Sequence, residues 1–251
     1  MRNYLLTFIV CLCLVVSCTK QDGSGSGPDA TGGSGKGGSL ARFTIANGRL
    51  FVAEDYSIKV FDVTNPASPV YKTAINRSAN TRLETLFSFK NNLFVGGTDG
   101  MFIYDISKPD EPSLTGSAVH LRSCDPVVAN DTVSFVTLRS GTACGTAKAG
   151  LYVYDVKNLS QPIEKSYVSL TAPYGLGLTD TTLYVCLGEE GLQVFNVKDA
   201  YNPKSIEVIT GESFTDVICY NDLLITWVKT GISIYSIAER ENPVKLGFVN
   251  N

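Results

Sequence analysis

Histidine is almost missing from this sequence: His120 stands alone among 251 residues. Paired-histidine metal sites are thereby excluded, and any catalytic triad has only this residue to recruit. Neither sign of charge is in excess. Lys plus Arg is 21 and Asp plus Glu is 24, a net charge of -3, so the chain has no basic surplus to hold a phosphate backbone, and nucleic acid is not an expected partner. No apolar run is long enough to span a bilayer, which takes about 20 residues. No stretch of ten or more residues shows helical apolar spacing. Nucleophile-elbow, phosphate-loop and calcium-loop patterns are absent as well, and Gly96-Gly97 and Gly175-x-Gly177 lie in strand-like contexts rather than in a dinucleotide fingerprint. No cofactor and no metal are expected. What is present is enough apolar material, 44% against 18% charged, to build a core, which excludes a disordered tail or a collagen-like rod.

The first residues read as an address. Met1-Arg2-Asn3 is a short positive start, and Tyr4 to Val16 is an apolar run of signal-peptide length. It ends in Leu14-Val15-Val16-Ser17-Cys18, which resembles a bacterial lipobox. That resemblance implies cleavage before Cys18 and lipid on its thiol, with acyl chains holding the protein at a membrane. Thr19-Lys20-Gln21-Asp22 loosely resembles the signal of surface-exported lipoproteins of Bacteroidetes. The expected location is therefore the outer membrane, on its periplasmic or cell-surface side. Gly/Ser-rich sequence follows, with no apolar side chains to bury, and reads as a flexible tether. The expected organisation is a lipoprotein signal peptide at 1–17, a lipid-anchored tether at 18–39 and one folded domain at 40–251.

That domain is one unit written five times. Phe61-Asp62-Val63, Tyr104-Asp105-Ile106, Tyr154-Asp155-Val156, Phe195-Asn196-Val197 and Tyr235-Ser236-Ile237 share an aromatic, a small polar and a β-branched residue. A proline follows seven positions after each polar residue: Pro69, Pro112, Pro162, Pro203 and Pro243. Each unit reads as four short strands separated by Asn/Asp/Gly turns. Gly100, Gly150, Gly191 and Gly231 open four of the third strands, with Ser57 near that place in the first. Proline cannot donate to a ladder and so suits the start of an edge strand. Repeats of about 40 residues with four antiparallel strands imply propeller blades. The expected fold is all-β, a five-bladed β-propeller, with a folded-over sandwich as the competing architecture.

The aromatic-Asp-Val/Ile, turn, Pro unit resembles the LVIVD repeat of bacterial lipoproteins, over about Leu40 to Val249. Arg122 to Val128, Val136 to Thr142 with Cys144, Tyr174 to Gly177 and Leu183 to Cys186 are similar to Bacteroidetes members. Asn196 and Ser236 stand where the repeat prefers Asp. The resemblance implies a propeller-like lipoprotein and no settled activity. Because the blades read in phase, no strand is left over to close the ring. Closure is expected from blade five packing face to face on blade one, with Phe43-Thr44-Ile45 innermost beside it. Of the four cysteines beyond Cys18, which allow three pairings, Cys124 and Cys144 point to one face and are the expected disulfide in an oxidising compartment. Cys186 and Cys219 read as small buried residues.

Propeller ligands meet the face where inter-blade links reach the innermost strands. Those links carry Arg82, Glu84, Arg122, Asp125, Tyr174 and Asp216, and the long loop from Arg139 to Gly150 extends the same face. Asp125 and Asp216 fall at matching positions. The expected function is non-catalytic binding or scaffolding at the cell envelope, the partner being an envelope protein or glycan. Carboxylates at a channel mouth can also act as acid and base on a sugar or hold a cation. A glycan-active or metal-assisted hydrolase using Glu84, Asp125 and Asp216 is thus the competing function. His120 reads as a loop residue and Trp227 as core.

Overall fold

The computed structural model describes residues 38–78, 80–119, 126–140 and 148–251. These residues form five four-stranded antiparallel sheets, each built from four consecutive strands. Blade 1 holds β1 (Phe43–Ala46), β2 (Arg49–Ala53), β3 (Ser57–Asp62) and β4 (Val70–Asn76). Blade 2 holds β5 (Leu83–Phe89), β6 (Asn92–Gly97), β7 (Gly100–Asp105) and β8 (Ser113–Val119). Blade 3 holds β9 (Val127–Ala129), β10 (Val133–Leu138), β11 (Gly150–Asp155) and β12 (Ile163–Ser169). Blade 4 holds β13 (Leu176–Thr179), β14 (Thr182–Cys186), β15 (Leu192–Asn196) and β16 (Lys204–Ile209). Blade 5 holds β17 (Phe214–Tyr220), β18 (Leu223–Val228), β19 (Gly231–Ser236) and β20 (Val244–Asn250). The fold is a five-bladed β-propeller with the first strand of each blade innermost.

The repeated triplet has a structural job at each of its positions. Its aromatic sits at a register shift between third and fourth strands in all five blades, at Val60/Phe61, Ile103/Tyr104, Val153/Tyr154, Val194/Phe195 and Ile234/Tyr235. Such a bulge increases local twist and swings the outer strand across the blade. The polar residue closes an Asx-type turn. Asp62, Asp105, Asp155 and Asn196 accept from the main-chain N–H two residues on, at 2.7–3.0 Å. The β-branched residue donates its N–H to the hairpin joining the first two strands, as in Ile106 N to Asn91 O and Val156 N to Thr132 O. The proline then directly precedes the outermost strand, where no ladder bond is lost. The glycines answer to close approach. A Cβ at Gly100, Gly150, Gly191 or Gly231 would stand 2.0–2.6 Å from a carbonyl oxygen of the fourth strand.

Four apolar clusters hold the blades together, each between consecutive blades: one with two, two with three, three with four, four with five. Among the described residues no such cluster joins blade 5 to blade 1. The expected closure is therefore corrected. β1 is innermost and Thr44 is bonded to Ser88 of blade 2 at 2.9 Å, but Phe43 is 61% exposed and Ile45 45%. Trp227, expected in the core, is 58% exposed on blade 5. The reason is geometric: side-chain packing at four interfaces fixes the angle between blades, and that angle does not bring blade 5 onto blade 1.

A polar clasp joins these ends instead. Ser39 is buried. Its hydroxyl accepts from Leu176 N of blade 4 at 2.6 Å and donates to Asp216 Oδ1 of blade 5 at 3.3 Å. The Asp216 carboxylate also accepts from Val217 N and from the main-chain N–H groups of Ser39 and Leu40. Gly38 allows this approach, since a Cβ there would lie 2.1 Å from Asp216. Two residues of the expected tether, Gly38 and Ser39, are thus bound into the fold.

Candidate functional site

Four blades each send side chains to one cleft of about 220 Å³ at the mouth where the links reach the inner strands. Arg42 arrives just ahead of β1, Glu84 from β5, Arg139 just after β10 and Tyr174 just ahead of β13. Glu84 is aimed by a bulge: the β5–β6 register shifts between Leu83 and Thr85, and the extra residue is Glu84. The backbone of Tyr174 is fixed from two sides, its N–H donating to Cys186 O at 2.8 Å and its carbonyl accepting from the Thr137 hydroxyl at 2.6 Å. Its ring carries the Arg139 guanidinium 4.2 Å above the centroid, a cation–π stack that holds both side chains at the rim. Arg42 is braced by Ala53 O, Leu83 O and Asp55.

The expected face is assembled only in part. Glu84, Arg139 and Tyr174 meet, as expected. Arg82 does not line the cleft; it pairs with Asp55 of blade 1 at 3.2 Å, and Arg42 and Arg82 together hold that carboxyl below the usual range. Asp216 is corrected from ligand-facing to structural. Burial pushes its pKa up to about 6, against the opposing pull of the Val217, Leu40 and Ser39 hydrogen bonds. A carboxylate that already accepts from four donors of its own chain has little left for a ligand. Arg122, Cys124, Asp125 and Cys144 lie outside the described residues, as do Cys18, His120 and loop residues 141–147. Cys186 is a free thiol, and burial pushes it well above its ordinary value. Among the described residues no group of three His, Cys, Asp or Glu side chains could hold a metal ion.

Sequence reasoning missed a second cavity, at the opposite end of the channel. It measures about 400 Å³ and is walled by β5, β9, β13 and β17, with Phe87, Phe89, Val128, Leu176, Leu178, Val217 and Ile218 on its sides. Asn130, Asp180 and Asn221, from the hairpins that follow these strands, contribute its polar groups. The alternation in Phe87-x-Phe89 and Leu176-x-Leu178 is its sequence trace, and the same alternation describes an ordinary core strand.

The LVIVD repeat profile matches residues 90–119, the stretch from the first hairpin of blade 2 to the end of β8. Residues 90–119 are an LVIVD repeat. The matched unit holds the Tyr104-Asp105-Ile106 triplet and Pro112, and the other four blades copy its strands, its bulge and its turn. No curated protein matches the sequence. Solved structures resemble it at the level of fold. A functionally unknown protein from Desulfotomaculum acetoxidans aligns with a TM-score of 0.67 and 6% identity, over 81% of this chain and 67% of that one. The periplasmic gluconolactonase of Pseudomonas aeruginosa aligns at 0.61 and 13%, over 80% and 67%. AztD from Citrobacter koseri aligns at 0.58 and 11%, over 82% and 63%. The chain thus spans about two thirds of the length of the structures it matches. At such identities the likeness speaks for the propeller and not for an activity.

Proposed function

We propose that this chain is an exported, lipid-anchored β-propeller that binds an envelope protein or glycan at its channel mouth without transforming it. The observation that supports this reading is the convergence of Arg42, Glu84, Arg139 and Tyr174, from four blades, on one cleft. Two guanidinium groups, a carboxylate and an aromatic face suit recognition of a polar partner by shape and hydrogen bonding. The rigid disc fixes their spacing, and the loops around them supply specificity. Anchoring through Cys18 would hold the propeller at the outer membrane, where such partners are found.

A hydrolase of the kind weighed above requires two carboxyl groups about 5–9.5 Å apart. Glu84 lines the cleft, and the Asp216 carboxylate is engaged in the clasp. Asp125 is then the second carboxylate that reading needs. The test is retention of envelope proteins and glycans on the immobilised chain, compared with Tyr174→Ala and Arg139→Ala. Loss of a specific retained species with both variants, and no turnover of a glycan panel, supports binding. Turnover that disappears in Glu84→Gln and Asp125→Asn would replace the binding reading with the hydrolase. For the anchor, an acyl label incorporated by the native chain and absent from Cys18→Ser is the expected result.

A further inference from the structure

Blades 2, 3 and 4 are covered on both faces, and their strands show it: β10 and β14 are buried at every position. In blades 1 and 5 burial alternates along the second and third strands, as in the buried, half-buried succession of β19. One face of each end blade is therefore uncovered, and both faces are apolar. On blade 5 the face carries Ile225, Trp227 and Ile234; on blade 1 it carries Phe43, Ile45 and Phe61.

These are the two halves of one interface. The repeat's aromatic packs against the preceding blade wherever there is one: Tyr104, Tyr154, Phe195 and Tyr235 are 2–4% exposed. Phe61 holds the same position, and among the described residues no apolar cluster packs another blade against it. In the other direction, Tyr184 and Cys186 of blade 4 are fully buried against blade 5, and Ile225 and Trp227 are their counterparts one blade on. We propose that the two faces meet between two copies of this chain, blade 5 of one packing on blade 1 of the next.

Three observations favour a second copy. The contact continues a packing mode that the chain already uses four times. Meeting within one molecule would require a new angle at four interfaces that hold the fully buried Phe51, Ile103, Phe135 and Leu224 in turn. Charge does not oppose it: Asp216, opposite Trp227 on the blade 5 face, is buried and bound by Ser39, Leu40 and Val217, and Lys59, on the blade 1 face, is paired with Glu54 at 2.6 Å. The joint is weaker than those inside the chain. Interior joints carry polar ties such as Arg49–Asp110 and Asn196–Glu241, whereas the matching positions here are Ala67 and Ser236. The result is a reversible head-to-tail association, because the two surfaces differ and each copy leaves one of each free.

Trp227 is the only tryptophan in the sequence, so its fluorescence reports this surface alone. The experiment is sedimentation and tryptophan emission of the purified full chain over a wide concentration range, beside Trp227→Glu and Ile45→Glu. Both changes fall on exposed positions and leave the fold intact, which circular dichroism checks. The wild-type mass is expected to rise with concentration while emission moves to the blue. Each variant stays monomeric alone. An equimolar mixture of the two gives a dimer that grows no further, because each supplies the face the other lacks. A monomeric wild type overturns the proposal: with shielded emission the ring closes on itself, and with exposed emission the faces await a different protein. Variants that associate like wild type, or a mixture that stays monomeric, overturn it as well.

Discussion

The Asp216 carboxyl makes the folded chain more stable in mild acid than in mild alkali, the reverse of an ordinary surface carboxylate. Burial at the clasp pushes its pKa up to about 6, the hydrogen bonds from Val217, Leu40 and Ser39 only partly offsetting the loss of water. In the unfolded chain an aspartate titrates near 3.9. Between those values the folded state holds a proton that the unfolded state has released, so stability is full below the unfolded pKa and is lost as pH rises through about 6. A shift of about two units is worth about 3 kcal/mol, of which about 2.5 kcal/mol falls between pH 4 and pH 8. Asp62, Asp105 and Asp155 work the other way. Hydrogen bonds in their turns, from Thr64, Ser107 and Lys157, hold them below the usual range, so the total pH profile mixes both signs. Comparison with Asp216→Asn separates them, because the amide does not titrate and loses the same hydrogen bonds at every pH. Urea denaturation of both proteins from pH 4 to pH 8 is the assay. The stability of wild type relative to the variant is expected to fall by about 2.5 kcal/mol across that range. A constant difference, or one that grows with pH, refutes the reasoning and shows that the clasp stabilises the ionised carboxylate.

Three further outcomes follow from the same geometry. Ser39→Ala leaves Leu176 N without its 2.6 Å acceptor and is expected to cost about 1–3 kcal/mol in denaturant unfolding; it also removes a hydrogen bond that holds the Asp216 pKa down, so the loss of stability with rising pH should deepen. Gly150→Ala drives a Cβ to 2.4 Å from Val168 O and is expected to cost about 1–3 kcal/mol, whereas Gly247→Ala, with open space around it, stays within about 0.5 kcal/mol; equal effects would remove close approach as the reason for these glycines. Glu212 is pushed up by burial, but the hydrogen bonds from Lys245, Ser233 and Tyr235 outweigh this and leave its pKa lowered. Glu212→Ala is expected to cost about 1.5–3 kcal/mol at neutral pH. That deficit should narrow on thermal melts as pH falls below the range in which an unfolded glutamate ionises.

Strand positions were legible because their determinants are local. Asn/Asp/Gly pairs mark hairpins, alternation marks strands, and a proline seven residues after each triplet marks the outermost strand. Gly100, Gly150 and Gly231, expected to open third strands, begin β7, β11 and β19, and Gly191 directly precedes β15. The channel-mouth site was legible for the residues whose place follows from blade phase alone: Glu84, Arg139 and Tyr174. Arg42 was not, because nothing near it in sequence signals that an arginine ahead of the first strand turns inward. Asp216 was misread for a similar reason. Its partners Gly38 and Ser39 end a Gly/Ser-rich stretch that has the composition of a tether, and only the three-dimensional ring brings them to β17, 177 residues away.

The closure of the ring is the instructive failure, because the residues that would reveal it are the same in both cases. A blade packed on both sides and a blade with one free face are written in one alphabet. Ile225 and Ile234 are as apolar as Tyr184 and Val194, which occupy the equivalent places in blade 4 and are fully buried. Whether such a face is covered depends on the angle between sheets, and that angle is summed over four interfaces rather than encoded in any one strand. The same residues can therefore serve as core or as contact surface. Polar ties add to two of the interior joints, at Arg49–Asp110 and Asn196–Glu241, whereas Ser236 and Ala67 stand at the places of Asn196 and Glu241.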